Sequence, residues 1–116
     1  MARTAVVVDD HPFVRTMVRR LLEEAGFDVI GEADDVRGAL RLGADLQPDI
    51  MLLDVQLPDG TGIEATRTMR TWETSPAIVL ISTNDYADSA HLCGADGFIG
   101  KADLSLETLR AAVGPT

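Results

Sequence analysis

Four shortages frame this sequence of 116 residues. Aromatic side chains make up 4% of it, with one Trp, one Tyr and three Phe, so any core has to be built from aliphatic residues. There is one cysteine, Cys93, which excludes an internal disulfide and points to a reducing compartment, the cytoplasm. No apolar run approaches the roughly 20 residues that cross a bilayer. Met1-Ala2-Arg3-Thr4 leads straight into a strand-like segment, so neither a membrane span nor a signal peptide is expected. Positive charge is the fourth shortage: 10 Lys and Arg stand against 19 Asp and Glu, a formal net charge of −9. That balance argues against direct nucleic-acid binding by this chain and fits a divalent cation or a basic partner surface.

What is present is ordinary for a globular protein: 46% apolar and 25% charged residues, in a length that suits one domain, residues 1–116. Thr4 to Val8 is a short β-branched run closed by Asp9-Asp10. Pro12 then opens a helix whose apolar positions, Phe13, Val14, Met17, Val18, Leu21, Leu22 and Ala25, recur at three- and four-residue steps, and Gly26 stops it. Phe27 to Gly31 reads as a second strand. Asp34 or Asp35 caps a helix over 36–45. Ile50 to Leu53 is a continuous apolar run, the pattern of a strand buried on both faces, and it ends abruptly in Asp54. A third helix is expected over 63–71, with Trp72 near its end, and a fourth strand over 77–81, closed by Ser82. A polar stretch then leads into a short helix reaching Cys93. Gly97 to Ile99 is a brief last strand ending near Lys101, and Ser105 caps a helix over 106–113. Gly114-Pro115-Thr116 reads either as the start of a linker or as the end of the chain.

Five strands alternating with helices imply an α/β fold, a parallel sheet with right-handed crossovers and helices on both faces. In such a sheet all strand ends share one edge, where ligands bind. Asp9 and Asp10, Asp54, Ser82 and Lys101 therefore converge there. Three close carboxylates repel one another, and a hard divalent cation relieves that; Mg²⁺ suits a few protein oxygens plus waters. A carboxylate can be the nucleophile that accepts a phosphoryl group, with metal and lysine neutralising the transferring oxygens. A serine hydroxyl can then hydrogen-bond the acyl phosphate.

The residues at these strand ends form an ordered set: Val6-Val7-Val8-Asp9-Asp10-His11-Pro12, Pro48-Asp49-Ile50-Met51-Leu52-Leu53-Asp54, Leu57-Pro58-Asp59-Gly60-Thr61-Gly62, Ile81-Ser82, and Gly94-Ala95-Asp96-Gly97-Phe98-Ile99-Gly100-Lys101. The set resembles the receiver domains of bacterial two-component response regulators, over nearly the whole chain. Its Asp-Asp-His-Pro opening is similar to receivers that precede a LuxR/NarL-type helix-turn-helix domain. The resemblance implies a flavodoxin-like doubly wound sheet of order 2-1-3-4-5. It also implies Asp54 as phosphoacceptor for a sensor histidine kinase, and Mg²⁺ held by Asp9, Asp10, Asp54 and the backbone carbonyl of Gln56. Lys101 pairs with a phosphoryl oxygen in that scheme, Ser82 is the switch hydroxyl, and Phe98 is the switch aromatic. The face of the fourth helix, fifth strand and fifth helix serves output and homodimerisation. The Ser82 to Lys101 interval is shorter than the family's by roughly one helical turn, so a short, displaced or partly unwound fourth helix is expected.

His11 is assigned no chemical role, Cys93 is a small packed residue, and Gly60-Thr61-Gly62-Ile63-Glu64-Ala65 matches a dinucleotide-loop pattern but stands too far beyond its strand. A receiver-like interaction module that works without phosphorylation is the alternative function. A small hydrolase using Asp54 lacks a second carboxylate two residues on, where Gln56 stands. The expected protein is a signalling phosphoacceptor, not an enzyme with an external substrate.

Overall fold

The structure, a computed structural model, describes residues 2–113; the expectation for Gly114-Pro115-Thr116 lies outside the described residues. Five strands, β1 (Thr4–Val8), β2 (Asp28–Ala33), β3 (Ile50–Asp54), β4 (Ala77–Ser82) and β5 (Gly97–Gly100), pair in parallel in the order β2-β1-β3-β4-β5. Five helices connect and cover them: α1 (Pro12–Glu24), α2 (Val36–Leu46), α3 (Gly62–Met69), α4 (Ala87–Leu92) and α5 (Leu106–Val113). This is the flavodoxin-like doubly wound sheet implied by the sequence.

Strand periodicity decides which side chains meet which helices. Successive residues of β3 point to opposite faces, so Met51 and Leu53 pack with Ala39, Ala65, Met69 and Ala90 of α2, α3 and α4. Ile50 and Leu52 pack with Val18, Leu22 and Leu109 of α1 and α5. Burying one Leu or Ile side chain stabilises by about 1.5–3 kcal/mol. Both faces of β3 are filled this way, and that is why its sequence runs apolar without alternation.

The helix ends follow from local chemistry. Pro12 occupies the first turn of α1, where a missing N–H costs nothing. Gly26, at φ +94°, turns the chain out, with its N–H on the Glu23 carbonyl and the Phe27 N–H on that of Leu22. Asp35 caps α2 by accepting the Gly38 N–H at 2.7 Å, and Ser105 caps α5 through the Thr108 N–H at 3.1 Å.

Two expectations need correction. Phe13 is 82% exposed and does not belong to the buried face of α1. It lies five residues before Val18 and nine before Leu22, about 140° and 180° round the helix. The second strand is Asp28–Ala33 and runs past Gly31. It is an edge strand whose pairing slips, Ala5 facing Val29 and Val6 facing Gly31, so Ile30 is an extra residue that the apolar pattern does not reveal. The fourth helix is short, six residues from Ala87 to Leu92.

Candidate functional site

The carboxyl ends of β1, β3, β4 and β5 deliver the site. Asp9 and Asp54, which follow or close strands buried on both faces, are themselves buried, Asp54 being 3% exposed. Lys101 leaves the end of β5 in a single 3₁₀ turn, and its Nζ lies 3.0 Å from Asp9 Oδ2 and 3.1 Å from Asp54 Oδ2. One ammonium thus serves two buried carboxylates, and the trio carries a net negative charge. Burial pushes the Asp54 carboxyl above its ordinary range, and the Asp9 charge adds to this against the opposing pull of Lys101. Burial alone would lower Lys101, but its hydrogen bonds to Asp9 and Asp54 outweigh that and raise it.

The remaining polar contacts are short-range. Asp54 Oδ1 accepts the Gln56 N–H at 3.3 Å, and Asp9 Oδ1 accepts the His11 N–H at 2.8 Å. Ser82 is buried at the end of β4, and its Oγ accepts the Asn84 N–H at 3.1 Å. Phe98 is half-buried on β5, against the cluster on the α2, α3 and α4 side. Gln56 stands with Asp10, Asp54 and Lys101 round an open depression of about 270 Å³. The structure therefore brings Asp9, Asp10, Asp54, Gln56 and Lys101 to one place, with Ser82 and Phe98 on the neighbouring strands.

The donor set fits a hard cation. Ligand atoms of Asp9, Asp10, His11 and Asp54 all lie within 4.8 Å of one another. The buried Asp9 Oδ2 is met by Lys101 Nζ at 3.0 Å and Asp10 Oδ1 by His11 Nδ1 at 3.1 Å, so one ammonium and one imidazole stand among three carboxylates. Oxygen donors at short spacing suit Mg²⁺.

Sequence reasoning missed four features here. His11 Nδ1 sits 3.1 Å from both Asp9 Oδ1 and Asp10 Oδ1, inside the acidic cluster. Arg15 donates to the Asp9 carbonyl at 2.7 Å. Asp59, in the loop beyond Asp54, accepts the Val36 N–H at 2.7 Å and the Arg37 N–H at 3.1 Å, a second cap on α2. Gln56 Nε2 donates to the Tyr86 hydroxyl at 3.3 Å. A Pro or Asp in a loop signals a turn locally, but nothing local names a partner 20 or 30 residues away.

The glycine-rich decoy has a packing explanation. The Gly62 N–H bonds the Val55 carbonyl at 2.8 Å, and a Cβ on Gly62 would stand 2.5 Å from the Asp54 carbonyl oxygen. Only glycine allows α3 to start so close beneath the Asp54 backbone.

Comparison with known proteins agrees with this geometry. The family model for the response regulator receiver domain matches residues 5–114. The transcriptional regulatory protein KdpE of Mycobacterium tuberculosis is 39% identical over 113 residues, covering 93% of this chain and 50% of that protein. The transcriptional regulatory protein YdfI of Bacillus subtilis is 36% identical over 108 residues, covering 90% of this chain and 50% of that protein. The chain thus spans about half the length of these curated relatives. Among solved structures, a LuxR-family two-component response regulator from Aurantimonas sp. superposes with a TM-score of 0.85 at 35% identity, over 97% of this chain and 86% of that one. The signal receiver domain of NarL from Mycobacterium tuberculosis gives 0.85 at 34% identity, over 98% of both chains.

Proposed function

Since the chain belongs to the response regulator receiver domain family of two-component systems, we propose that Asp54 is its phosphoacceptor and that a sensor histidine kinase is its donor. The kinase's phosphohistidine loses its N–P bond as an Asp54 carboxylate oxygen forms the new O–P bond, giving an acyl phosphate and a free imidazole. The observation that carries this reading is the placement of Asp54: buried at the end of β3, 3.1 Å from Lys101, beside Asp9 and with Asp10 close by. Asp9, Asp10, Asp54 and the Gln56 carbonyl would hold Mg²⁺. When bound, Mg²⁺ supplies positive charge against the transferring oxygens. Lys101 stays within reach of the new phosphoryl group, and Ser82 gives up the Asn84 N–H to turn toward it. Phe98 follows Ser82, shifting a two-state equilibrium on the face of α4, β5 and α5. That face then engages a second copy, a helix-turn-helix domain or a separate effector.

In this reading residues 1–116 form one receiver unit that works in the cytoplasm, binds no nucleic acid itself, and acts as a signalling phosphoacceptor rather than an enzyme. Among the described residues no helix is long and apolar enough to cross a membrane. One observation favours a second reading, a module that signals without phosphorylation: α4, part of the output face, has only six residues. Beryllofluoride, which mimics a phosphoryl group on a carboxylate, separates the two. Titration followed by NMR is expected to show Mg²⁺-dependent binding that shifts resonances from Asp54 to Phe98 and disappears in Asp54→Asn. No binding by the native protein would favour the second reading.

A further inference from the structure

His11 occupies the N-cap position of α1, but its side chain makes no hydrogen bond to the helix. The caps of α2 and α3, Asp35 and Thr61, do make that bond, to the Gly38 and Glu64 N–H groups. The His11 ring is turned toward the acidic pocket instead. Its Nδ1 stands 3.1 Å from Asp9 Oδ1 and 3.1 Å from Asp10 Oδ1. His11 also lines the same depression as Asp10, Asp54 and Gln56. Lys101 Nζ meets different oxygens, Asp9 Oδ2 at 3.0 Å and Asp54 Oδ2 at 3.1 Å. The imidazole and the ammonium therefore divide Asp9 between them, one on each carboxylate oxygen.

Neighbouring donors round a six-coordinate ion with bonds of about 2.1 Å lie about 3.0 Å apart, and both His11 spacings match that. With its proton on Nδ1, the ring holds the same spacings as hydrogen bonds; with its proton on Nε2, it offers Nδ1 as a lone pair. We propose that His11 Nδ1 is a further ligand of the divalent ion held by Asp9, Asp10 and Asp54, and that it tilts the pocket from Mg²⁺ toward borderline ions such as Co²⁺, Ni²⁺ and Fe²⁺. The proposal rests on the reading that these carboxylates hold a metal. Mg²⁺ is hard, prefers oxygen and keeps its waters, so an imidazole adds little to its binding. The borderline ions take carboxylate oxygen and imidazole nitrogen together, and they gain from the nitrogen. His11 thus decides which ion is bound rather than whether one is bound. The chain has two histidines, and the other, His91, lies on α4 outside the cluster. One nitrogen ligand is therefore expected.

The test compares two ions on the full chain. Co²⁺ binding to native protein, His11→Ala and His91→Ala is measured by calorimetry, and Mg²⁺ binding by NMR titration. His11→Ala keeps the backbone N–H that Asp9 Oδ1 accepts at 2.8 Å and removes a side chain that is 64% exposed, so the fold is retained. Losing this ligand should weaken Co²⁺ by about tenfold or more, since disturbing even an outer-shell partner costs that much. Mg²⁺ affinity should change by less than about twofold. His91→Ala should bind both ions as the native protein does. X-ray absorption at the cobalt edge gives a readout that a structural role would not move: the outer-shell scattering of one coordinated imidazole, present in the native protein and in His91→Ala, absent in His11→Ala. Equal losses of Co²⁺ and Mg²⁺ affinity in His11→Ala, or no imidazole scattering from the native protein, would overturn the role of His11 while leaving the acidic site in place. Failure of the native protein to bind either ion would instead remove the metal site of the proposed function, and His11's part with it.

Discussion

Replacing Asp54 by Asn should stabilise the unphosphorylated domain. Asp54 shares Lys101, at 3.1 Å, with Asp9, whose nearer oxygen lies 3.0 Å from the same Nζ. At an effective dielectric of about 20, one ammonium at that distance attracts by about 5 kcal/mol, and a second carboxylate within 4.8 Å repels by at least about 3.5 kcal/mol. The remaining attraction, about 2 kcal/mol or less, is smaller than the several kcal/mol needed to bury a carboxylate. The ionised side chain is therefore a net cost, in keeping with its raised pKa. Asn keeps the shape, and its one carbonyl oxygen can accept from Lys101 in place of Oδ2, giving up only the longer bond from the Gln56 N–H. In EDTA at pH 7, Asp54→Asn is expected to be more stable by about 1–2 kcal/mol, a Tm gain of about 3–10 °C for a domain of this size. The sign of the pH dependence follows from the raised folded-state pKa. Between the unfolded value near 3.8 and the folded one, the folded state binds more protons, so the native protein loses stability as pH rises through that window. Below it Asp54 is neutral in both states and the gap should shrink. Urea melts of both proteins from pH 3 upward measure this; a variant that is less stable at pH 7, or a gap that does not narrow on acidification, would refute the reasoning.

Lys101→Ala should have the opposite effect, destabilising by about 3 kcal/mol in EDTA because it leaves two buried carboxylates without a cation; Mg²⁺ is expected to recover much of the loss, read as a larger Mg²⁺-induced Tm rise than in the native protein. Gly62→Ala should destabilise by about 1–3 kcal/mol, since its Cβ would stand 2.5 Å from the Asp54 carbonyl oxygen, and denaturant midpoints check it. Asp59→Asn removes a carboxylate whose pKa is lowered chiefly by the Val36 N–H. A lowered folded-state pKa gives stability that is present above the unfolded value and lost as pH falls through the folded one, so this variant should be less stable at neutral pH and converge with the native protein in acid.

The sheet was legible because strands buried on both faces have to be apolar, and the runs at β1, β3 and β4 stand out from everything around them. The carboxylates at their ends were legible for the same reason, as charges that interrupt apolar runs at a shared edge. Less was legible where one element answers another. Ile30 is the extra residue of an edge strand, a matter of register with β1. Phe13 fits a helical stripe by count but lies on the wrong side once Val18 and Leu22 define the buried face. Asp59 looks like part of a Pro-Asp-Gly turn, and only the folded chain shows it capping α2. The Gln56–Tyr86 contact is likewise a product of topology: β4 must sit next to β3 before residues 56 and 86 can meet.

The central claim, that Asp54 takes a phosphoryl group with help from the acidic pair and Lys101, is tested most directly by incubating the protein with acetyl phosphate and Mg²⁺ and weighing it intact. The account predicts a single labile phosphoryl adduct that is absent in Asp54→Asn and absent when EDTA replaces the metal. An adduct that persists in Asp54→Asn, or one that forms equally well without Mg²⁺, would contradict it.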